Sequence, residues 1–330
     1  MKKIFAFAIA AVALTVGCQK IQSLVNPDND QVNENDPVEI KFNTNLAIVE
    51  TKIVDDLNGL TLKVFGINDT DPNSARQFKD IDAIASTNEG KYSLDLTDGP
   101  YYYDGNTDKY SFYGYFLDGA TLSDGNVTID GHNDILLAAA TENGSYCGSE
   151  ARNGKDPELV FTHALSQLKF AAINLGTDAI TLTSITVKSS QVGTMTVGSD
   201  QQNVAGGSDE YDFSVDISEG VTLASKATVV SPGDEDYTPA GSELILFPGA
   251  SYELFFTLTQ GEEGSFIERT LKVKVADEIK AGEAYKFNVK FYSLEKIEIT
   301  ASLIGWGEDV VVTVEPEDVD PADDNSGDGE

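Results

Sequence analysis

The chain has 330 residues, a length that suits about two domains, and 41% of them are hydrophobic, enough to build folded cores. Lys and Arg number 22 against 55 Asp and Glu, a formal net charge of -33, so nucleic acid and anionic lipid surfaces are poor partners for it. Two His and two Cys leave little raw material for zinc sites, disulfide frameworks or His-based catalysis, and no metal or cofactor is implied.

At the N-terminus Lys2 and Lys3 precede an apolar run, Ile4 to Val16, which is shorter than the roughly 20 residues a membrane-spanning helix needs. It reads as a secretion signal over residues 1–17. The segment Leu14-Thr15-Val16-Gly17-Cys18 resembles a bacterial lipobox, with Thr15 in place of the usual Leu. That resemblance implies that Cys18 is acylated and anchors the chain to the outer membrane; the alternative is an ordinary secretory peptide. Residues 18–36 are rich in Asn, Asp and Gln and read as a flexible tether.

From Pro37 the pattern becomes short alternating or β-branched runs separated by turn dipeptides such as Asn58-Gly59, Asp118-Gly119, Asp124-Gly125 and Asn153-Gly154. Strands are expected at 38–42, 60–67, 91–96, 110–116, 135–139, 159–173, 180–188, 211–217, 243–247, 252–259, 270–275, 285–292, 297–303 and 310–314, with no long helix. That many strands suits two β-sandwiches rather than one. The polar, turn-rich stretch 141–158 places the join near residue 160, giving domains 37–160 and 161–316. The tail 317–330 is acidic, lacks aromatics and is expected to be disordered.

Few residues suggest chemistry. His163 lies within a strand-like run and reads as a hydrogen-bonding core residue, and His132 as a solvated turn residue. Asp104 to Asp108 imitates the start of a calcium loop, but Lys109 stands where Gly is required and Tyr115 where Glu closes the loop, so a hairpin turn is the better reading. Cys147 sits in a turn-like stretch, and Trp306 reads as a core anchor. Tyr101, Tyr102, Tyr103, Tyr110, Tyr113 and Tyr115 fit either cross-strand packing or a sugar-stacking platform, with packing favoured. Neither a serine nucleophile elbow nor a glycine-rich phosphate loop occurs in the sequence, and an enzyme is not expected.

Three blocks carry a family resemblance: Tyr110-Ser111-Phe112-Tyr113-Gly114-Tyr115-Phe116, Phe161 to Phe170, and Gly282 to Val289 leading to Ile304-Gly305-Trp306. They are similar to the fimbrillin family, more narrowly its Mfa-like branch of pilus subunits. The resemblance implies an all-β chain of two tandem transthyretin-like β-sandwich domains, exported as a lipoprotein to the outer membrane and the fimbrium. It implies other pilus subunits as partners, in a homo- or hetero-polymer, and leaves room for a host or bacterial surface ligand. It also implies that a protease removes the first strand and that a neighbour's strand replaces it. Val38, Ile40 and Phe42 alternate as such a strand requires. Lys52 stands where the family's cleavage arginine is expected, and Arg76 is a second candidate. Val310 to Val314 is either a closing strand or a donor for the next subunit. A monomeric surface lipoprotein that binds glycan through its tyrosines is the alternative function.

Overall fold

The computed structural model describes residues 36–46, 56–88, 91–140, 146–198, 202–217, 219–226, 236–249, 252–261, 265–275, 278–304 and 311–313. Pro37 onward forms one unit, separate from Met1–Asp36, and the elements below belong to it. Cys18, Lys52 and Trp306 lie outside the described residues.

In chain order the first half contains β1 (Phe42–Leu46), β2 (Thr61–Asn68), β3 (Phe78–Asn88), β4 (Lys91–Leu96), β5 (Tyr110–Leu117), β6 (Thr121–Ser123), β7 (Asn126–Thr128), β8 (Ile135–Ala140), the single turn of helix α1 (Gly148–Arg152) and β9 (Glu158–His163). The second half contains β10 (Ser166–Asn174), β11 (Ile180–Ser189), β12 (Val192–Thr196), β13 (Asn203–Gly206), β14 (Tyr211–Ser214), β15 (Val221–Leu223), β16 (Thr238–Pro239), β17 (Leu244–Leu246), β18 (Tyr252–Gln260), β19 (Ile267–Val275), β20 (Ala284–Ser293), β21 (Lys296–Leu303) and β22 (Val311–Thr313).

The first half closes into a barrel in the order β1-β4-β3-β2-β5-β8-β9. Antiparallel hairpins build most of it, and the parallel pairing of β1 with β9 completes the ring. Its core gathers Ile40, Phe42, Leu62, Val64, Phe78, Tyr103, Tyr110, Phe112 and Phe161, all buried. Two glycines let strands and rings approach each other. A Cβ on Gly66 would lie 2.5 Å from the Phe78 ring, and one on Gly114 would lie 2.8 Å from the Phe161 ring.

The second half packs two open sheets, β16-β10-β20-β21-β22 with β17 also on β10, and β14-β11-β18-β19 with β15 also on β11. Phe170, Phe256, Phe287 and Phe291 form ring contacts across this core, such as Phe170–Phe287 at 5.4 Å and Phe256–Phe291 at 6.1 Å. A fourth small sheet, β13-β12-β7-β6, joins strands from both halves. Through it Val127 and Ile129 enter the second core, together with Tyr115 and Ile135.

Several elements differ from the sequence expectation. The run 159–173 is two strands, because the chain leaves the barrel after His163 and enters the second core at Ser166. Strand β3 was not expected. Asp80 and Asp82 interrupt its apolar pattern; Asp80 adopts φ 58, and the β2/β3 register shifts nearby, between Val64 and Gly66. The short strands β6, β7, β12, β13, β15 and β16 were also unexpected. Cys147, expected in a turn, is the half-buried N-cap of α1, its sulfur 3.1 Å from the Ser149 hydroxyl.

Candidate functional site: the N-terminal strand and its groove

The candidate strand Val38 to Phe42 lies against the barrel, and its alternation runs further than the sequence suggested. Ile40, Phe42, Thr44 and Leu46 are buried and Val38 is half-buried, while Glu39, Lys41, Asn43 and Asn45 face solvent. Its first part pairs with Tyr101–Tyr103: the Ile40 amide donates to the Tyr101 carbonyl at 2.8 Å, and the Tyr103 amide donates to Val38 at 3.0 Å. Its second part, β1, lies between two neighbours. Phe42 and Thr44 pair with Leu94 and Tyr92 of β4, and Asn43 and Leu46 pair with Glu158 and Phe161 of β9. The Thr44 hydroxyl adds a bond to the Leu159 carbonyl at 2.7 Å. The Phe42 ring meets Phe112 edge-on at 5.0 Å. Burying Ile40, Phe42 and Leu46 stabilises the barrel by about 1.5–3 kcal/mol each. An empty slot here would expose their apolar contacts and two rows of unpaired backbone groups.

The two candidate cleavage positions are not equivalent. Lys52 falls in the link from β1 to β2, residues 47–60, so a cut there separates β1 alone. A cut after Arg76 separates β2 as well. That strand pairs with both β3 and β5, and its Leu62 and Val64 are buried.

Arg76 contacts the groove wall. Its Nη1 donates to the Tyr103 carbonyl at 2.6 Å, and its Nε lies 3.2 Å from Asp104 Oδ1. Asp104 Oδ2 accepts from Asn68 Nδ2 at 3.2 Å and from the Ser74 hydroxyl. These bonds fix the Tyr101–Tyr103 segment with which Val38–Ile40 pairs. They also engage Asp104 within the protein, in keeping with a turn rather than a calcium loop. Among the described residues no group of three His, Cys, Asp or Glu is placed to hold a metal ion.

The tyrosines divide by burial. Tyr103, Tyr110, Tyr113 and Tyr115 are buried, Tyr101 is half-buried, and Tyr102 is 36% exposed. Tyr103 and Tyr110 meet at 5.3 Å, and Tyr110 stacks on Phe112 at 5.9 Å. Burial pushes the Tyr103 phenol far above its ordinary value. Burial and the hydrogen bond to Asp80 do the same for Tyr115. The residues Tyr110 to Tyr115 are buried on both strand faces, and Phe116 is half-buried. This is core packing.

His163 Nδ1 lies 2.7 Å from Asp134 Oδ2, with both side chains buried at the point where the chain leaves the barrel. His132 is exposed in its turn. The segment Val311–Thr313 pairs antiparallel with Thr300–Ser302, extending the chain's own sheet. No helix among the described residues is long and apolar enough to cross a membrane.

Sequence reasoning missed Thr44, Leu46 and the Arg76 clamp. The continuing alternation after Phe42 was the available signal for the first two, although Asn43 and Asn45 favour a turn reading. The clamp depends on contacts between residues about 30 positions apart, such as Arg76 with Tyr103, and has no local signature.

An all-β chain whose first strand completes a closed barrel is the setting for the family match. The fimbrillin-like model covers residues 51–306, and the chain belongs to that family. No curated protein matches the chain. Among solved structures, it is similar to a proposed cell adhesion protein from Bacteroides ovatus, with 18% identity, coverage of 85% of this chain and 99% of the other, and a TM-score of 0.49. A proposed cell adhesion protein from Bacteroides uniformis gives 17% identity, 82% and 98% coverage, and a TM-score of 0.49. The fimbrial anchor protein Mfa2 from Porphyromonas gingivalis gives 11% identity, 84% and 100% coverage, and a TM-score of 0.30.

Proposed function

We propose that this fimbrillin-like chain is a structural or adhesive subunit of a surface pilus, assembled by exchange of its N-terminal strand. Signal removal before Cys18 and acylation of that cysteine anchor it at the outer membrane during export. Its two domains meet after His163, tied together by the β6–β7 hairpin. Cleavage at Lys52 releases Val38 to Leu46, and an extended strand from a neighbouring subunit takes the slot between β4 and β9. The observation that carries this reading is the position of β1: one short strand supplies the last ladder on both sides of the barrel and inserts alternate apolar side chains into its core. Family membership supports it. The buried tyrosines speak against the glycan-platform alternative.

The test is to place a specific protease site within residues 47–55, cut the purified chain, and follow it on denaturing gels. The reading expects either denaturation-resistant ladders or a monomer that melts well below the intact chain. A cut chain that has lost its strand, melts like the intact one and never assembles overturns it.

A further inference from the structure

Closure leaves the barrel without edges, but the open sheets of the second half end in strands. Among the described residues the terminal strands β6, β13, β14, β15, β16, β17 and β22 are two to four residues long. The exception is β19, with nine residues and β18 as its one described neighbour. It contains no proline, and in its sequence Ile267-Glu268-Arg269-Thr270-Leu271-Lys272-Val273-Lys274-Val275 the apolar residues alternate from Leu271 to Val275. Leu271, Val273 and Val275 are buried, whereas Phe266 and Ile267 at its start are 57% and 52% exposed. A long edge that starts with exposed apolar residues is a template for a further strand.

We propose that β19 docks a second copy of this chain, pairing antiparallel with the partner's β19 about a two-fold axis at Leu271. Charge complementarity selects that occupant and that register. With the axis at Leu271 all nine residues pair, Glu268 lies opposite Lys274 at both ends, and Ile267 lies opposite Val275. Facing residues on one side of an antiparallel pair bring their Cβ atoms to about 5 Å, where opposite charges attract and like charges repel. Glu268 and Lys274 have no ion pair among the described residues, whereas Lys272 is held by Glu253 of β18 at 2.7 Å. Moving the axis to Lys272 sets that lysine against itself. Moving it to Thr270 sets Glu268 against Lys272, which Glu253 already holds, and leaves Lys274 and Val275 unpaired. The lysines that guard this edge against indiscriminate pairing therefore accept a strand with an acid at the matching position, and β19 is such a strand. The two-fold arrangement closes on itself, giving a dimer rather than a fibre. The net charge of -33 opposes association at long range, so the dimer strengthens as salt rises from low to physiological ionic strength. None of this requires release of β1.

The experiment is sedimentation of the uncut chain over a concentration series, with reducing agent present to silence Cys147. With residues 38–46 in place, strand exchange at the barrel is not involved, so this outcome is separable from that of the proposed function. A monomer–dimer equilibrium is expected. Lys274→Glu opposes two like pairs and weakens the dimer roughly tenfold; the charge swap Glu268→Lys with Lys274→Glu restores it. Both positions are exposed, and an unchanged melting curve separates lost docking from lost folding. A wild-type chain that stays monomeric at every concentration overturns the proposal, whether a different protein or nothing occupies the edge. A dimer indifferent to Lys274→Glu, or one that the charge swap fails to restore, overturns it equally.

Discussion

The two cores of this molecule are completed in different ways. In the barrel every strand has two neighbours, and the last place in the ring goes to β1, at the N-terminal end of the described chain and joined to β2 through residues 47–60. In the second core the sheets stay open, and long central strands such as β10 and β20 pair in parallel along eight residues. Removing a terminal strand therefore has unequal effects. Loss of β22 uncovers three residues of β21, while loss of β1 opens the ring at two seams and uncovers Phe112. The barrel thus concentrates its vulnerability in one terminal strand, while the second core spreads its stability across ladders that do not depend on the chain's ends.

The largest effects probe both cores. Phe112→Ala and Phe256→Ala should each cost about 3–5 kcal/mol in chemical denaturation, because both rings are fully buried among other aromatics. Hydrogen exchange separates them: the Phe112 variant should speed exchange of the Ile40 amide, and the Phe256 variant should leave it slow. Equal effects on Ile40 would mean that the two cores open together. A smaller effect comes from the groove wall. Arg76→Ala should cost about 1 kcal/mol, since the ion pair is half-exposed and the bond to the Tyr103 carbonyl is charge-assisted. It should also loosen the Val38–Ile40 segment, with Arg76→Lys intermediate.

Two further predictions concern the seam and the surface. Burial, with Asp134 and Asp130 nearby, raises the Asp118 carboxyl above its ordinary value. The folded state therefore holds this proton more tightly than the unfolded state. Its contribution favours folding below the unfolded pKa and is lost as pH rises through the folded one. Asp118→Asn should flatten that part of the stability profile and slightly raise the melting temperature at neutral pH. The smallest effect belongs to Tyr102. Exposed beside buried Tyr103, its replacement by Ala should change stability by less than about 0.5 kcal/mol, whereas Tyr103→Ala should cost several times more in the same melt.

Local patterning made the strand class readable, because alternation and turn dipeptides act within a few residues. It marked Ile40 and Phe42 and most of the long strands. Where a feature depended on distant partners, the pattern failed. Asp80 and Asp82 disguise β3, yet Asp80 accepts a bond from Tyr115 on β5, a partner that no window around Asp80 reveals. The break at Ala164-Leu165 carries no Gly, Pro, Asn or Asp, so one apolar run concealed the passage between two cores. On the tyrosine-rich β5, Tyr115 is buried because it packs into the second core, a contact that no pattern within the strand reveals. Arg76, the second cleavage candidate, sits in a polar loop, and its bond to the Tyr103 carbonyl is made by folding and leaves no trace in the local sequence.

The central claim is that the barrel accepts an extended strand in place of β1. Complementation measures this directly. The chain is cut within residues 47–55, its N-terminal segment is removed, and a synthetic peptide of residues 38–46 is added while melting is followed. The account predicts a lowered melting temperature after removal and its recovery, in proportion to peptide bound, with a peptide in which Ile40, Phe42 and Leu46 are replaced by Ser giving no recovery. A stripped chain that melts like the intact one, or that recovers equally with the Ser-substituted peptide, would contradict it.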